Sequence, residues 1–281
     1  MATDPASRDD RVLRTTKALS AFIAPFLIVA FVVLYGFPGR TEQLWAWTIR
    51  PTMTPMVLAS AYLGGFYFFV CALWAKRWAT LRLGLLSVLV FATLLGVATI
   101  LHWDRFNHRH VAFWLWAGLY FTAPVLVALA YLTNQRHARP PERDELRLGR
   151  VSRWVVGLTG VAALATGLTM FLSPALMIPL WPWALTPLTC RVVGAIFCLG
   201  LAGIGGFVDP RWVALRLMVK VEALMVVLML GAAFRARGQF LPDRPLSWLM
   251  LGGFAVILLG SAYLWYAYEI RPRRGRGVRS A

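Results

Sequence analysis

Acidic residues are scarce in this chain: 12 Asp and Glu stand against 29 Lys and Arg in 281 residues. Charge of either sign is thin, at 15% of residues, where a soluble domain carries about 25%. That shortage argues against an ordinary water-soluble domain. Cysteine is scarce too, and Cys71, Cys190 and Cys198 have no paired spacing, so neither a disulfide framework nor a cysteine metal site is read from them. There is no P-loop, no HExxH and no soluble segment long enough for ATP hydrolysis. Any transport by this chain would be passive, ion-coupled or powered by a partner.

What is present in excess is apolar surface. Hydrophobic residues make up 59% of the chain, and they come in uninterrupted blocks rather than on one face of a helix. A bilayer core about 30 Å thick needs about 20 such residues per helix. The blocks at Leu19–Gly36, Met56–Trp74, Leu83–Leu101, Val111–Leu132, Trp154–Leu172, Val192–Val208, Leu217–Phe234 and Trp248–Tyr268 meet that length. Membrane-barrel strands would alternate polar and apolar residues, and these blocks do not. The expectation is an all-α polytopic membrane protein with eight transmembrane helices. The first seventeen residues are polar, and the first apolar block is long enough to stay in the membrane as an anchor.

The net charge of +17 is unevenly placed. The N-terminus, the even-numbered loops and the tail hold 20 Lys and Arg; the odd-numbered loops hold 8, and Lys220 lies inside a block. The positive-inside rule then puts both termini in the cytoplasm. Attraction to anionic lipid explains the basic tail better than nucleic acid, so no nucleic-acid partner is expected. Homo- or hetero-oligomers stay open.

Sliding the chain against itself exposes a duplication. Leu44-Trp45-Ala46-Trp47 reappears as Leu180-Trp181-Pro182-Trp183, with Pro38 and Pro51 matching Pro174 and Pro187. Arg77-Trp78 and Leu81-Arg82-Leu83 recur as Arg211-Trp212 and Leu215-Arg216-Leu217, and Trp114, Leu115 and Gly118 as Trp248, Leu249 and Gly252. Each copy contains four spans, an even number, so the expected arrangement is two parallel four-helix repeats about an axis along the membrane normal. The division is 1–133 for the first repeat, 134–153 for a basic cytoplasmic linker, 154–270 for the second repeat and 271–281 for the tail. A short helix is expected at Glu142–Arg150 in the linker.

The repeated tryptophans allow two readings. Trp45, Trp47, Trp181 and Trp183 fit an aromatic belt at headgroup level, or the walls of an outward-facing cavity flanked by Pro-broken segments. Trp78, Arg82, Trp212 and Arg216 fit interfacial anchors with snorkelling side chains. Gly194, Cys198, Ala202 and Gly206 recur every fourth residue, a small-residue face that permits close helix contact.

Two polar features occur in one copy only. Lys220 and Glu222 lie in the seventh block, where the first copy has Leu86 and Val88. A charge at a helix centre costs about 2.5–3.5 kcal/mol by insertion scales. Positions two apart differ by about 200° around a helix, so the pair cannot share one neighbour. Glu222 is the deeper and the stronger candidate for a cation, a proton or a polar ligand group; an interhelical hydrogen bond is its structural alternative. The second feature is the loop holding His102, Asp104, His108 and His110, whose side chains are of metal-ligating type. Their spacing matches no zinc signature, and Arg105 and Arg109 oppose a cation.

The run LHWDRFN, followed by AFWLW, Leu119-Tyr120 and Pro124, resembles a pattern in multi-span inner-membrane proteins of high-GC Gram-positive bacteria, as does LWPWALTPLT with Arg191. The resemblance implies a bacterial inner-membrane location and brings no activity with it. Transport or binding of a small or lipophilic ligand between the repeats, through Glu222, Lys220, the four tryptophans and Arg191, is the leading expectation. A non-catalytic assembly protein and an outer-face enzyme or redox protein built on the His/Asp loop stay open. No cofactor is expected.

Overall fold

In hydrocarbon a backbone N–H or C=O has no water to pair with, so each apolar block must close its own hydrogen bonds as a helix. The computed structural model describes residues 9–140, 142 and 144–271. Eight helices in it are long and apolar enough to cross a membrane: α1 Arg14–Gly36, α2 Met53–Trp74, α3 Arg82–Leu101, α4 Val111–Gln135, α5 Arg150–Leu172, α6 Pro187–Val208, α7 Trp212–Arg235 and α8 Pro245–Ile270. Among the described residues the only β-type pairing is two isolated bridges. An even number of crossings puts both described chain ends at one face, here called the basic face.

Several helices start earlier than their apolar blocks. α5 begins at Arg150 and α7 at Trp212, because a helix need not stop where the hydrocarbon does. α6 begins where the sequence supplies its own cap: Thr186 Oγ1 accepts from Thr189 N at 3.2 Å, and Thr189 Oγ1 accepts from Thr186 N at 2.8 Å, with Pro187 between them. In mid-membrane α6 tightens into a 3₁₀ turn at Cys198–Gly200.

α2, α3, α6 and α7 form the core, with α2 against α7 and α3 against α6; α1, α4, α5 and α8 pack around them. α8 is the most lipid-exposed span. The small-residue face of α6 meets glycines of α5. A Cβ at Gly167 would stand 2.5 Å from the Gly194 carbonyl oxygen, and one at Gly160 would stand 2.6 Å from that of Gly200. Lipid gives helices no hydrophobic reason to associate, so such backbone-to-backbone approach carries the contact.

At the basic face, the ends of the four core helices are joined by a chain of alternating charges. Asp10 pairs with Arg77, just after α2, at 3.1 Å; Arg77 also pairs with Glu145 of the linker. Glu145 pairs with Arg211, just before α7, at 3.0 Å, and Arg211 with Asp209, just after α6, at 2.7 Å. Asp209 closes the chain on Arg82, the first residue of α3, at 2.7 Å. Burial alone would raise the pKa of Glu145, but hydrogen bonds from Arg77 and Arg211 and their charges prevail and lower it. Arg211 is held above its ordinary pKa by its bonds to Asp209, against desolvation, with Glu145 adding to the effect.

The structure departs from two expectations. The short helix expected at Glu142–Arg150 does not form: among the described residues none before Arg150, where α5 begins, is helical, and Arg147 instead pairs as a bridge with Arg211, as Arg11 does with Arg77. A bridge is favoured because each segment pairs its backbone groups with the loop opposite: Trp78 N donates to Asp10 O at 2.6 Å, and Trp212 N to Leu146 O at 2.8 Å. Nor are the RWxxLRL tryptophans interfacial anchors. Trp78 and Trp212 are buried, their indole N–H groups donating to Gln135 Oε1 and Glu269 Oε1, each at 2.9 Å.

A leucine at Gly167 is expected to destabilise the protein by about 3 kcal/mol or more, since its neighbours are backbone and cannot yield. Alanine at Gly252, whose Cβ would meet nothing within 4 Å, is expected to be neutral. Thermal melting in detergent distinguishes the two. Glu145→Gln is expected to cost up to about 3 kcal/mol, discounted because Arg77 is partly exposed. With the folded pKa of Glu145 depressed, its stabilisation is present above the unfolded carboxylate pKa and is lost as pH falls through the folded value.

Candidate functional site

Glu222 lies near the middle of α7, ten residues from its start and thus about 15 Å along it. Its neighbours are set by the core. α2, α3, α6 and α7 leave between them a cavity of about 130 Å³, lined almost wholly by apolar side chains such as Phe68, Phe91, Met218 and Met225, with Gly200 beside the α6 turn. A second opening, a cleft of about 370 Å³ between α5, α7 and α8, is lined by Val155, Thr159, Ser261 and Tyr263. Val155 and Tyr263 are exposed, so this cleft faces lipid. Val156, Gly203, Val219, Ile257 and Glu222 line both spaces.

Among the described residues Glu222 is therefore the one acid placed where the bundle interior meets the lateral cleft. Among the described residues its carboxyl group has no ion pair and no hydrogen bond with another side chain. The structural alternative, a carboxyl that staples two helices, has no partner to staple. Among the described residues no side chain offsets the cost of placing the acid at this depth, and an ionisable residue inside a span is by default a candidate functional group.

Lys220 does not join it. Its ammonium sits 4.4 Å from the centroid of the Trp265 ring, on the exposed side of α7. The helical separation of the two residues holds, and Lys220 is removed from the site.

The tryptophans of the LWxW segments are neither a headgroup belt nor the wall of either space. Trp47, Trp181 and Trp183 are buried, with Trp45 partly so. Trp47 meets Trp116 edge-on at 4.8 Å and Trp181 meets Trp183 at 5.2 Å. Trp183 Nε1 donates to Thr54 Oγ1 at 2.9 Å, which ties this loop to the start of α2. The Pro-broken loops fold back onto the bundle, and protein rather than lipid covers the rings.

Arg191 and His102 come together although sequence analysis placed them in different sites. Arg191 Nη1 lies 2.7 Å from His102 Nε2. A guanidinium only donates, so Nε2 accepts and the proton of the neutral ring sits on Nδ1. Desolvation lowers the His102 pKa first, then the charge of Arg191 and, less, of Arg105; Asp104 opposes them.

The remaining members of that loop do not converge on a common point. His110 uses both ring nitrogens, Nδ1 accepting from Ala112 N at 3.1 Å and Nε2 facing Gln43 O at 2.9 Å. His108 packs between Trp103 and Phe113, and Asp104 turns to Arg105 at 3.3 Å. Among the described residues no group of three His, Cys, Asp or Glu side chains is placed to hold one metal ion. The loop caps α4 and packs its rings; it does not assemble a metal centre.

No family model, no curated protein and no solved structure matches the chain.

His102 generates a pH prediction. With its folded pKa below that of the unfolded chain, about 6.5, the unfolded state takes up the proton first. Stability is expected to be full above that value and to fall as pH drops below it. Melting curves at pH 7.5 and 5.5 should show a loss that is smaller in His102→Gln, whose amide oxygen can still accept from Arg191.

Proposed function

We propose that this protein binds a lipophilic ligand bearing a cationic or hydrogen-bonding head, and that the ligand reaches the bundle interior from the lipid through the cleft beside α8. The carrying observation is the position of Glu222: an acid with no side-chain partner among the described residues, lining both the apolar central cavity and the lipid-facing cleft. The lateral cleft, at about 370 Å³, falls by itself within the roughly 300–1,000 Å³ of small-molecule sites. An apolar wall with one convergent charge favours a molecule that is mostly hydrocarbon and polar at one point.

The two other readings have lost the observations that would favour them. An assembly role asked for an exposed small-residue face on α6, and that face is buried against α5. An outer-face enzyme asked for convergence of the His/Asp loop, and those side chains point to separate partners.

We also read the chain as two parallel repeats, in a bacterial inner membrane with the basic face cytoplasmic. Repeated contacts support the first part: the bridges Arg11 with Arg77 and Arg147 with Arg211, and the indole bonds of Trp78 and Trp212 to the last turns of α4 and α8. The excess of Lys and Arg at one face supports the orientation.

Tetraphenylphosphonium, an apolar cation, is a suitable probe in protein reconstituted into nanodiscs. Glu222→Gln is expected to weaken its binding about tenfold or more, the scale of one lost bond to a charged group. Gly260→Leu adds a side chain to the cleft, where a Cβ meets nothing within 4 Å, and is expected to hinder access with stability unchanged. Equal binding by the wild type and both variants would overturn the reading.

A further inference from the structure

A third space lies at the basic face, apart from Glu222. It is a cleft of about 390 Å³ bounded by Gln135 at the end of α4, Val208 at the end of α6, Arg82 at the start of α3, and the linker. Four arginines line it, Arg82, Arg139, Arg147 and Arg211, with Asp209 as the sole acid among the lining residues. We infer that this cleft binds a phosphate group, as carried by an anionic lipid headgroup or by a small phosphorylated molecule.

The acid at this cleft is already neutralised by its hydrogen bonds. Asp209 Oδ1 accepts from Arg211 Nε, and Oδ2 from Arg211 Nη2 and Arg82 Nη2, each at 2.7 Å. Its charge is thus shared between two guanidinium groups before any ligand arrives. Glu145 is likewise committed, to Arg77 and Arg211. Arg139 has an exposed pair with Glu142 at 2.9 Å, which is weakly held in water. Arg147 has no ion pair and no side-chain hydrogen bond among the described residues. Gln135 gives its Oε1 to Trp78, which leaves its amide N–H groups as donors at the cleft wall.

The cleft therefore presents guanidinium N–H groups in excess of the carboxylate oxygens available to them. Phosphate is the complement: several acceptor oxygens, matched to guanidinium forks. Depth adds to chemistry. Arg82, Gln135 and Val208 are terminal residues of their spans, so the cleft opens where the helices leave the hydrocarbon, the level of lipid phosphates. Val208, 83% exposed on the rim, offers an apolar surface suited to an acyl chain.

The test uses the full-length protein. In one arm, phosphatidylglycerol is titrated against a phosphatidylcholine background and bound lipid is counted by native mass spectrometry. In the other, inorganic phosphate is titrated into protein in uncharged detergent and followed by calorimetry. The Arg139→Gln/Arg147→Gln double variant changes two exposed side chains, so the fold is expected to persist, with melting as in the wild type. It is expected to weaken binding roughly thirtyfold, the weight of two basic residues at an anionic membrane surface. A control pair, Arg14→Gln/Arg150→Gln, removes equal charge from the same face outside the cleft and is expected to leave most of the binding. Binding in the lipid arm alone identifies a headgroup, and binding in the phosphate arm identifies a soluble ligand. Binding in neither arm, or equal loss in the control pair, overturns the inference.

Discussion

Hydrocarbon gives apolar helix faces no reason to prefer each other over lipid, and that constraint governs this protein. Its helices are held by two devices that do not depend on hydrophobic burial. One is the approach of α5 and α6 through Gly160, Gly167, Gly194 and Gly200, where backbone meets backbone and dispersion contacts are dense. The other is the charge chain from Asp10 to Arg82, which lies outside the hydrocarbon and joins the ends of the four core helices. Between these fastenings the interior need not be tightly filled, and the space around Glu222 can persist.

The division of labour between the faces follows. At the basic face Lys and Arg outnumber the acids, and the acids in the chain of ion pairs are committed to arginines; the surplus cations surround a cleft. At the opposite face the loops are rich in aromatic rings, and they fold down over the bundle rather than extend into water. Trp47, Trp116 and Phe106 pack on one side and Trp181, Trp183 and Phe197 on the other. An opening toward lipid, between α5 and α8, is left beside the span least covered by protein.

Much of this was legible in the sequence. Block hydrophobicity placed all the spans, because a bilayer imposes a length that few other environments do. Glu222 was legible for the same reason: an acid inside such a block needs an explanation. The tryptophans were not. An indole ring is at home at a headgroup or in a protein core, and only the path of the loop decides which. The ion pairs were hidden by distance along the chain, since Arg82 and Asp209 are 127 residues apart. Arg77 and Arg211 were visible as repeats, but the linker acid that bridges them belongs to no motif. The histidine loop shows the reverse: a suggestive local spacing, undone by the direction each ring takes once the loop has folded.

An acid paired by no side chain among the described residues, as Glu222 is, is a standing penalty on the folded state in every molecule that has nothing bound. Whatever satisfies it stabilises the folded chain by mass action, by about 2.7 kcal/mol when present at a hundredfold excess over its dissociation constant. On the proposed reading, occupancy would be converted into heat resistance. A library of lipophilic amines screened by melting point alone would let the molecule nominate its own ligand.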